Sequence, residues 1–191
     1  VYAPADYWGN GIVSLQHVVR SGRAVDLTLS SEQRSAAVAV LELKSGRTLK
    51  VVGTHFEVSD EGARLEQIEL LDQEIGLSES LLAGDLNALN RRDYDEAGLE
   101  KLLEIRHQGG RRLPRWDAMD CLIDIHGCLD AATDSPFQAT TPYSSRVDYF
   151  LLGPQSGVQI VENSYHVIDC LTNDISDHNA IVCSINTFER D

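Results

Sequence analysis

The chain has 191 residues, 42% of them hydrophobic and 24% charged, which fits a single soluble domain spanning residues 1–191 with a core of its own. Its 30 acidic residues against 16 basic ones leave a formal charge of −14, a negative field that disfavours loose association with nucleic-acid backbones or anionic membranes. The longest apolar run, Ala36 to Leu41, is far shorter than the roughly 20 residues needed to cross a bilayer, so no membrane partner is expected. In chain order, Gly9 to Leu15 and Arg23 to Leu29 read as short strands around a basic turn, Arg20-Ser21-Gly22-Arg23. Ala36 to Leu43 and Arg47 to Thr54 are clearer apolar strands, joined by Lys44-Ser45-Gly46. From Glu61 to Ile75, the spacing of Leu65, Ile68, Leu71 and Ile75, with Gly76 as a stop, predicts an amphipathic helix lying on a sheet. Ser80 to Ala83 is a brief strand running into Gly84-Asp85-Leu86-Asn87. Helices are predicted around Leu99 to Arg106 and Asp117 to Ile125, with the basic loop Gly109 to Arg115 between them. Strands return at Arg146 to Leu152, Val158 to Val161 and Ala180 to Thr187, the last introduced by Ser176-Asp177-His178-Asn179. Hairpins interrupted by single helices argue for an α+β layered domain over a regular βαβ array.

The four cysteines, Cys121, Cys128, Cys170 and Cys183, match neither the close pairs of a zinc site nor a disulfide framework, and read as buried free thiols. No Asn-x-Ser/Thr sequon occurs, and Val1 to Trp8 lack a basic-then-apolar leader pattern. The expected setting is intracellular, in cytoplasm or nucleus.

The chemistry-bearing residues fall where apolar strands begin or end: His55, Asp85, Asn87, Asp177 and His178. Strand ends from distant segments can converge on one rim. Each residue alone reads as ordinary local structure, since Gly-Asp-Leu-Asn is a good turn by itself. Asp148 is different, because it sits inside the apolar strand Arg146 to Leu152 and an unpaired buried carboxylate is costly. A histidine at another strand end is its natural partner.

At these residues the sequence resembles the endonuclease/exonuclease/phosphatase superfamily, the deoxyribonuclease I-like phosphodiesterases that include apurinic endonucleases and tyrosyl-DNA phosphodiesterases. The matching segments run in family order: Gly9-Asn10-Gly11-Ile12-Val13-Ser14, Gly53-Thr54-His55, Gly84-Asp85-Leu86-Asn87, Arg146-Val147-Asp148-Tyr149 and Ser176-Asp177-His178. Arg64-Leu65-Glu66-Gln67 fits the family's Arg-x-x-Gln helix, and the wording from Gly84 to Tyr94 is similar to a little-characterised eukaryotic branch. The resemblance implies a four-layer αββα sandwich, N-terminally incomplete, and Mg²⁺-dependent phosphodiester hydrolysis, with Mn²⁺ as a possible substitute. It assigns proton handling to His178, orientation of that imidazole to Asp148, alignment of nucleophile and transition state to Asp85 and Asn87, donation to a phosphoryl oxygen to His55, and metal binding to Asp177. These roles match what the reaction requires: a deprotonated, aligned water and neutralised phosphoryl charge. The same residues serve a phosphomonoesterase acting on a small or lipid-derived phosphate. A non-catalytic binding domain that has lost its metal is the reading from a different class.

One departure stands out. The family's metal-binding Glu and first-strand Asn precede the Gly-Asn segment, and only Val1 to Trp8 precede it here. The expectation is a fragment of a longer product, with a degenerate member as the alternative. Arg111, Arg112, Arg115 and Trp116 form the one dense basic and aromatic patch. Arg112, Arg115 and Trp116 are candidate substrate-binding residues for a phosphodiester, nucleic acid included, with a solvated loop as the plain alternative. Arg34 opens a core strand on the side of the rim, and Asp124 and Asp130 read as solvated helix-end carboxylates. The net charge favours a small, end-directed or protein-linked substrate over indiscriminate nuclease action.

Overall fold

A mixed six-stranded sheet organises the chain in the computed structural model, which describes residues 1–4, 9–29, 32–172 and 175–187. Its strands are β3 (Val18–Asp26), β4 (Ser35–Glu42), β5 (Thr48–His55), β6 (Ser80–Asp85), β7 (Leu129–Asp130) and β8 (Asp148–Leu152), in the spatial order β3-β4-β5-β6-β8-β7. Only β5 and β6 run parallel, joined by helix α1 (Glu61–Ile75); the other neighbours are antiparallel. Three two-stranded ribbons complete the strands: β1 (Tyr2–Pro4) with β2 (Gly9–Gly11), β9 (Val158–Ile160) with β12 (Ile185–Thr187), and β10 (His166–Ile168) with β11 (Ala180–Val182). Helix α2 (Glu96–Gln108) and the short α3 (Asp117–Asp120), which continues as a π-helical turn over Cys121–Ile125, supply the remaining helical residues. The expected α+β class holds. Among the described residues no helix is long and apolar enough to cross a membrane.

Successive residues of the central strands point to opposite faces and are apolar in turn, so both faces of the sheet need cover. Leu82 on β6 and Tyr149 and Leu151 on β8 face one side and pack with Ile68 and Leu71 of α1 and with Ala118 and Met119 of α3. Their neighbours Leu81, Phe150 and Leu152 face the other side, against Val158, Ile160 and Ile185 of the β9–β12 ribbon. Helices therefore cover one face and strands the other.

Helix α1 matches its predicted bounds. Asp60 caps it, accepting from the Gly62 and Ala63 N–H groups, and Gly76 at φ 69° ends it. Its buried stripe is not wholly apolar: Arg64 and Gln67 are buried at its first turns, while Leu65 is half-buried. Gln67 accepts from the Glu57 N–H at 2.9 Å and donates to the Leu27 carbonyl at 2.9 Å. Arg64 donates to the Glu57 and Val58 carbonyls. The Arg-x-x-Gln signature thus pins the loop that follows His55.

Four sequence expectations are corrected. The basic turn at Arg20-Ser21-Gly22-Arg23 lies inside β3, which pairs continuously with β4 apart from a bulge between Val19 and Ser21; an edge strand needs only one hydrogen-bonded neighbour and tolerates such a polar sequence. Gly9 to Leu15 contributes only β2, paired with β1 instead of β3. Ala180 to Thr187 breaks at Cys183-Ser184 into β11 and β12, which serve different ribbons. Asp130 is 4% exposed, not solvated, because the buried guanidinium of Arg146 grips it at 2.6 and 2.9 Å and Asp93 at 2.6 and 3.0 Å. That network leads into the start of β8. All four cysteines are free, Cys128 buried and the others half-buried. Residues 5–8, part of the segment preceding Gly9, lie outside the described residues.

Candidate active site

Register alone places three of the candidates side by side. His55, the last residue of β5, pairs with Asp85, the last of β6, and Asp85 pairs with Asp148, the first of β8. Gly84 makes this close ladder possible: it adopts φ 139°, and a Cβ there would fall 1.9 Å from the Thr54 carbonyl oxygen. His178 arrives from the loop before β11, where the Ser176 hydroxyl accepts its N–H at 3.1 Å.

The side chains converge at this rim. His178 Nδ1 lies 2.9 Å from Asp148 Oδ2 and 4.0 Å from Asp85 Oδ2, while His55 Nε2 is 3.4 Å from Asp85 Oδ2. Asn87, in the left-handed region at φ 48°, donates its backbone N–H to Asp85 Oδ1 at 2.8 Å and one amide hydrogen to the Phe56 carbonyl at 3.0 Å. The other amide hydrogen remains for a ligand. The predicted set His55, Asp85, Asn87, Asp148 and His178 is therefore one constellation.

Its electrostatics separate the two imidazoles. The hydrogen bond to Asp148 is the chief cause that lifts His178 to about 9, with help from Asp85 and Asp177 and against its partial burial. Burial is the chief cause that depresses His55 to about 4, followed by the positive fields of Arg34 and His178. Burial, then the adjacent Asp148 carboxylate, raises Asp85 to about 6. At neutral pH His178 is therefore an imidazolium, His55 a neutral imidazole and Asp85 a carboxylate. Arg34 is 2% exposed and pairs with Glu32, and its field reaches both His55 and Asp85.

One ligand atom each from Asp85, Asp148 and His178 lies within 4.8 Å of the others, an arrangement able to hold a divalent cation. With His178 Nδ1 turned to Asp148 at 2.9 Å, the oxygens of Asp85 and Asp148 are the members of this trio left as donors, and oxygen donors suit a hard divalent cation. Asp177 is exposed, acts on His178 through its charge, and stands outside this trio.

The basic and aromatic candidates sit differently. Arg112 is exposed and its carbonyl accepts from Arg106 Nε at 2.8 Å. Arg115 pairs with Asp117 at 3.0 Å in solvent. Trp116 is half-buried against the cluster of Leu89, Tyr94 and Leu102, with its ring 6.2 Å from that of Tyr94. Among the described residues these contacts are with the flanking ends of α2 and α3 and with that cluster, and none of them is with the rim. Sequence reasoning also passed over Thr140, which is fully buried and touches the backbone of Asp148. Its one signal is a Thr-Thr-Pro run with no periodicity.

No protein-family model matches the sequence, and no curated protein matches it. Solved structures do. The chain is similar to an endonuclease/exonuclease/phosphatase from Beutenbergia cavernae at 18% identity and TM-score 0.59, covering 90% of this chain and 45% of that one. It has that fold. It is likewise similar to the mannosyl-6-phosphatase of Bacteroides thetaiotaomicron (13% identity, TM-score 0.55, covering 89% and 67%). D. rerio TDP2 complexed with single strand DNA product is a third (18% identity, TM-score 0.53, covering 90% and 69%). The chain thus spans about half the length of the first of these and about two thirds of the other two. The α+β arrangement of a six-stranded sheet with helices on one face and strands on the other agrees with the αββα sandwich of these proteins.

Proposed function

We propose that the protein is a divalent-metal-dependent hydrolase of phosphodiesters, working at the rim where His55, Asp85, Asn87, Asp148 and His178 meet. The observation that carries this reading is the 2.9 Å contact of His178 with Asp148, set beside a second carboxylate, Asp85. Mg²⁺, or Mn²⁺ in its place, suits the oxygen donors of Asp85 and Asp148, with the Asp177 carboxylate next along the chain as a further donor. When bound, such a cation neutralises charge on the phosphoryl oxygens.

The chain's own groups divide the remaining work. Asp148 accepts the Nδ1–H of His178 at 2.9 Å and so fixes the tautomer in which Nε2, once the ring is neutral, takes a proton from water. The same carboxylate stabilises the imidazolium that forms. Asn87 presents its unused amide hydrogen to a phosphoryl oxygen, and His55, held neutral by burial and by Arg34, donates to another without adding a positive charge. Asp85, fixed by the Asn87 N–H, aligns the attacking water. A nucleic-acid substrate is supported by the likeness to D. rerio TDP2, whose structure holds a single strand DNA product, with Arg112, Arg115 and Trp116 as flanking contacts. The four free thiols support an intracellular setting.

A phosphomonoesterase is the second reading, supported by the likeness to a mannosyl-6-phosphatase. Steady-state hydrolysis of bis(p-nitrophenyl) phosphate and of p-nitrophenyl phosphate in Mg²⁺ separates the two. For a diesterase, kcat/KM for the diester should exceed that for the monoester by about tenfold or more, roughly one hydrogen bond's worth of preference. The reverse ratio selects the monoesterase, and folded protein without turnover on either selects a binding domain.

A further inference from the structure

We infer that Thr140 is the positioning residue that holds Asp148 against His178, an inference that rests on the reading of that pair as the working centre. The two partners are 30 residues apart. Asp148 begins a strand of the six-stranded sheet, whereas His178 precedes β11 in a separate two-stranded ribbon. A side-chain contact of 2.9 Å between them needs their backbones fixed relative to one another, and sheet pairing does not do this.

Thr140 bridges the two segments. Its hydroxyl oxygen accepts the N–H groups of Val147 at 3.1 Å and Asp148 at 3.4 Å, and its carbonyl accepts the Asn179 N–H at 2.8 Å. Each contact is at, or next to, a member of the pair. Thr140 has no solvent exposure, so water cannot readily replace a lost acceptor. The Asn179 side chain secures the far end: its Oδ1 accepts from Cys170 and Leu171 at 2.9 and 3.2 Å, and its Nδ2 donates to the Ala139 carbonyl at 3.3 Å.

The next residue supplies a built-in contrast. Thr141 is also buried, yet its hydroxyl meets Ser145 Oγ at 2.7 Å and the Ser145 carbonyl at 3.2 Å and accepts from the Tyr143 N–H. It ties its own loop, and among the described residues its hydroxyl bonds to neither partner segment. One threonine therefore positions the pair while its neighbour serves local structure.

The test is the downfield proton spectrum, in which a His178 Nδ1–H held by a carboxylate gives a slowly exchanging resonance, assigned by its disappearance in His178→Ala. Thr140→Val keeps the volume and removes the acceptor. It should lose the resonance and lower kcat on bis(p-nitrophenyl) phosphate about tenfold, with KM changed by less than about twofold. Thr140→Ser and Thr141→Val should keep the resonance at its native position. Thr140→Ala reads the same contact if the valine variant does not fold by circular dichroism.

A native resonance in Thr140→Val, or its equal loss in Thr141→Val, overturns the proposal. So does its absence from the unmodified protein. Failure of both Thr140→Val and Thr140→Ala to fold, with Thr140→Ser folded, overturns it in favour of a purely structural role. If the resonance follows the expected pattern in a protein with no turnover on any phosphoester, the hydrolase reading fails and the positioning role stands.

Discussion

His178→Ala should lower kcat on an aryl phosphodiester by about a thousandfold or more, and Asp148→Asn should remove a comparable share. The reason is geometric. Nδ1 of His178 faces Asp148 Oδ2 at 2.9 Å, so an amide at Asp148 no longer accepts that proton as a carboxylate does, and the imidazole turns to the wrong tautomer or orientation. Groups that act as one unit lose their joint effect once either is gone. The double variant should therefore fall within about twofold of the worse single variant. A double-mutant cycle on kcat, with folding checked by circular dichroism, reads this directly. Effects that simply multiply would assign Asp148 to structure alone.

The second large effect is in the pH profile. A His178 that takes a proton from water must be neutral, and its hydrogen bond to Asp148 lifts it from 6.5 to about 9. A cation held by Asp85 and Asp148 would oppose that lift, so in the metal-loaded protein the rate should climb by up to about tenfold per pH unit from about pH 6.5 and level off below about 9. Asp148→Asn removes the largest cause of the shift, so its acid limb should move back toward 6.5 while its plateau drops. Stability changes in the opposite sense. A histidine whose folded pKa is raised contributes stability that is complete below about 6.5 and is lost as pH rises through about 9. With the side chain 30% exposed, solvent screening reduces this contribution to about 1–2 kcal/mol. Chemical denaturation in chelator at pH 6.5 and 9.5 should show that loss in the unmodified protein and not in His178→Ala. A wild-type rate that is flat across the same interval would make His178 a donor in the reaction and not a base.

Much of this site is readable in sequence because its residues end strands. Apolar runs mark β5, β6 and β8, and the polar residue at the end of β5, at the end of β6 and at the start of β8 reaches the rim: His55, Asp85 and Asp148, the last half-buried at the strand's first residue where the sequence suggests a place inside it. Helix α1 is equally plain, since Gly76 stops a repeat of Leu65, Ile68, Leu71 and Ile75, of which only Leu65 is not buried. Contacts made through space leave no such mark. Asp130 reads as a solvated carboxylate until Arg146 is seen gripping it, and Thr140 lies in an irregular loop whose partners, Asp148 and Asn179, are 8 and 39 residues away. The edge strand β3 misleads for a related reason, because a Ser-Gly pair between arginines has turn chemistry and only the pairing with β4 holds it extended. The separation of the two imidazoles depends on burial and on charged neighbours, Asp148 at His178 and Arg34 at His55, so composition alone does not reveal it.

If this rim is a metal-dependent phosphoester hydrolase site, protein stripped of metal must be silent and must regain turnover when the ion returns. Purified protein treated with chelator and desalted is assayed on bis(p-nitrophenyl) phosphate before and after Mg²⁺ or Mn²⁺ is restored, with His178→Ala beside it. Turnover should be lost in the stripped protein, recover on adding either ion, and stay about a thousandfold or more below the unmodified protein in His178→Ala under every condition. Turnover undiminished by chelator, or equal in His178→Ala, would contradict it.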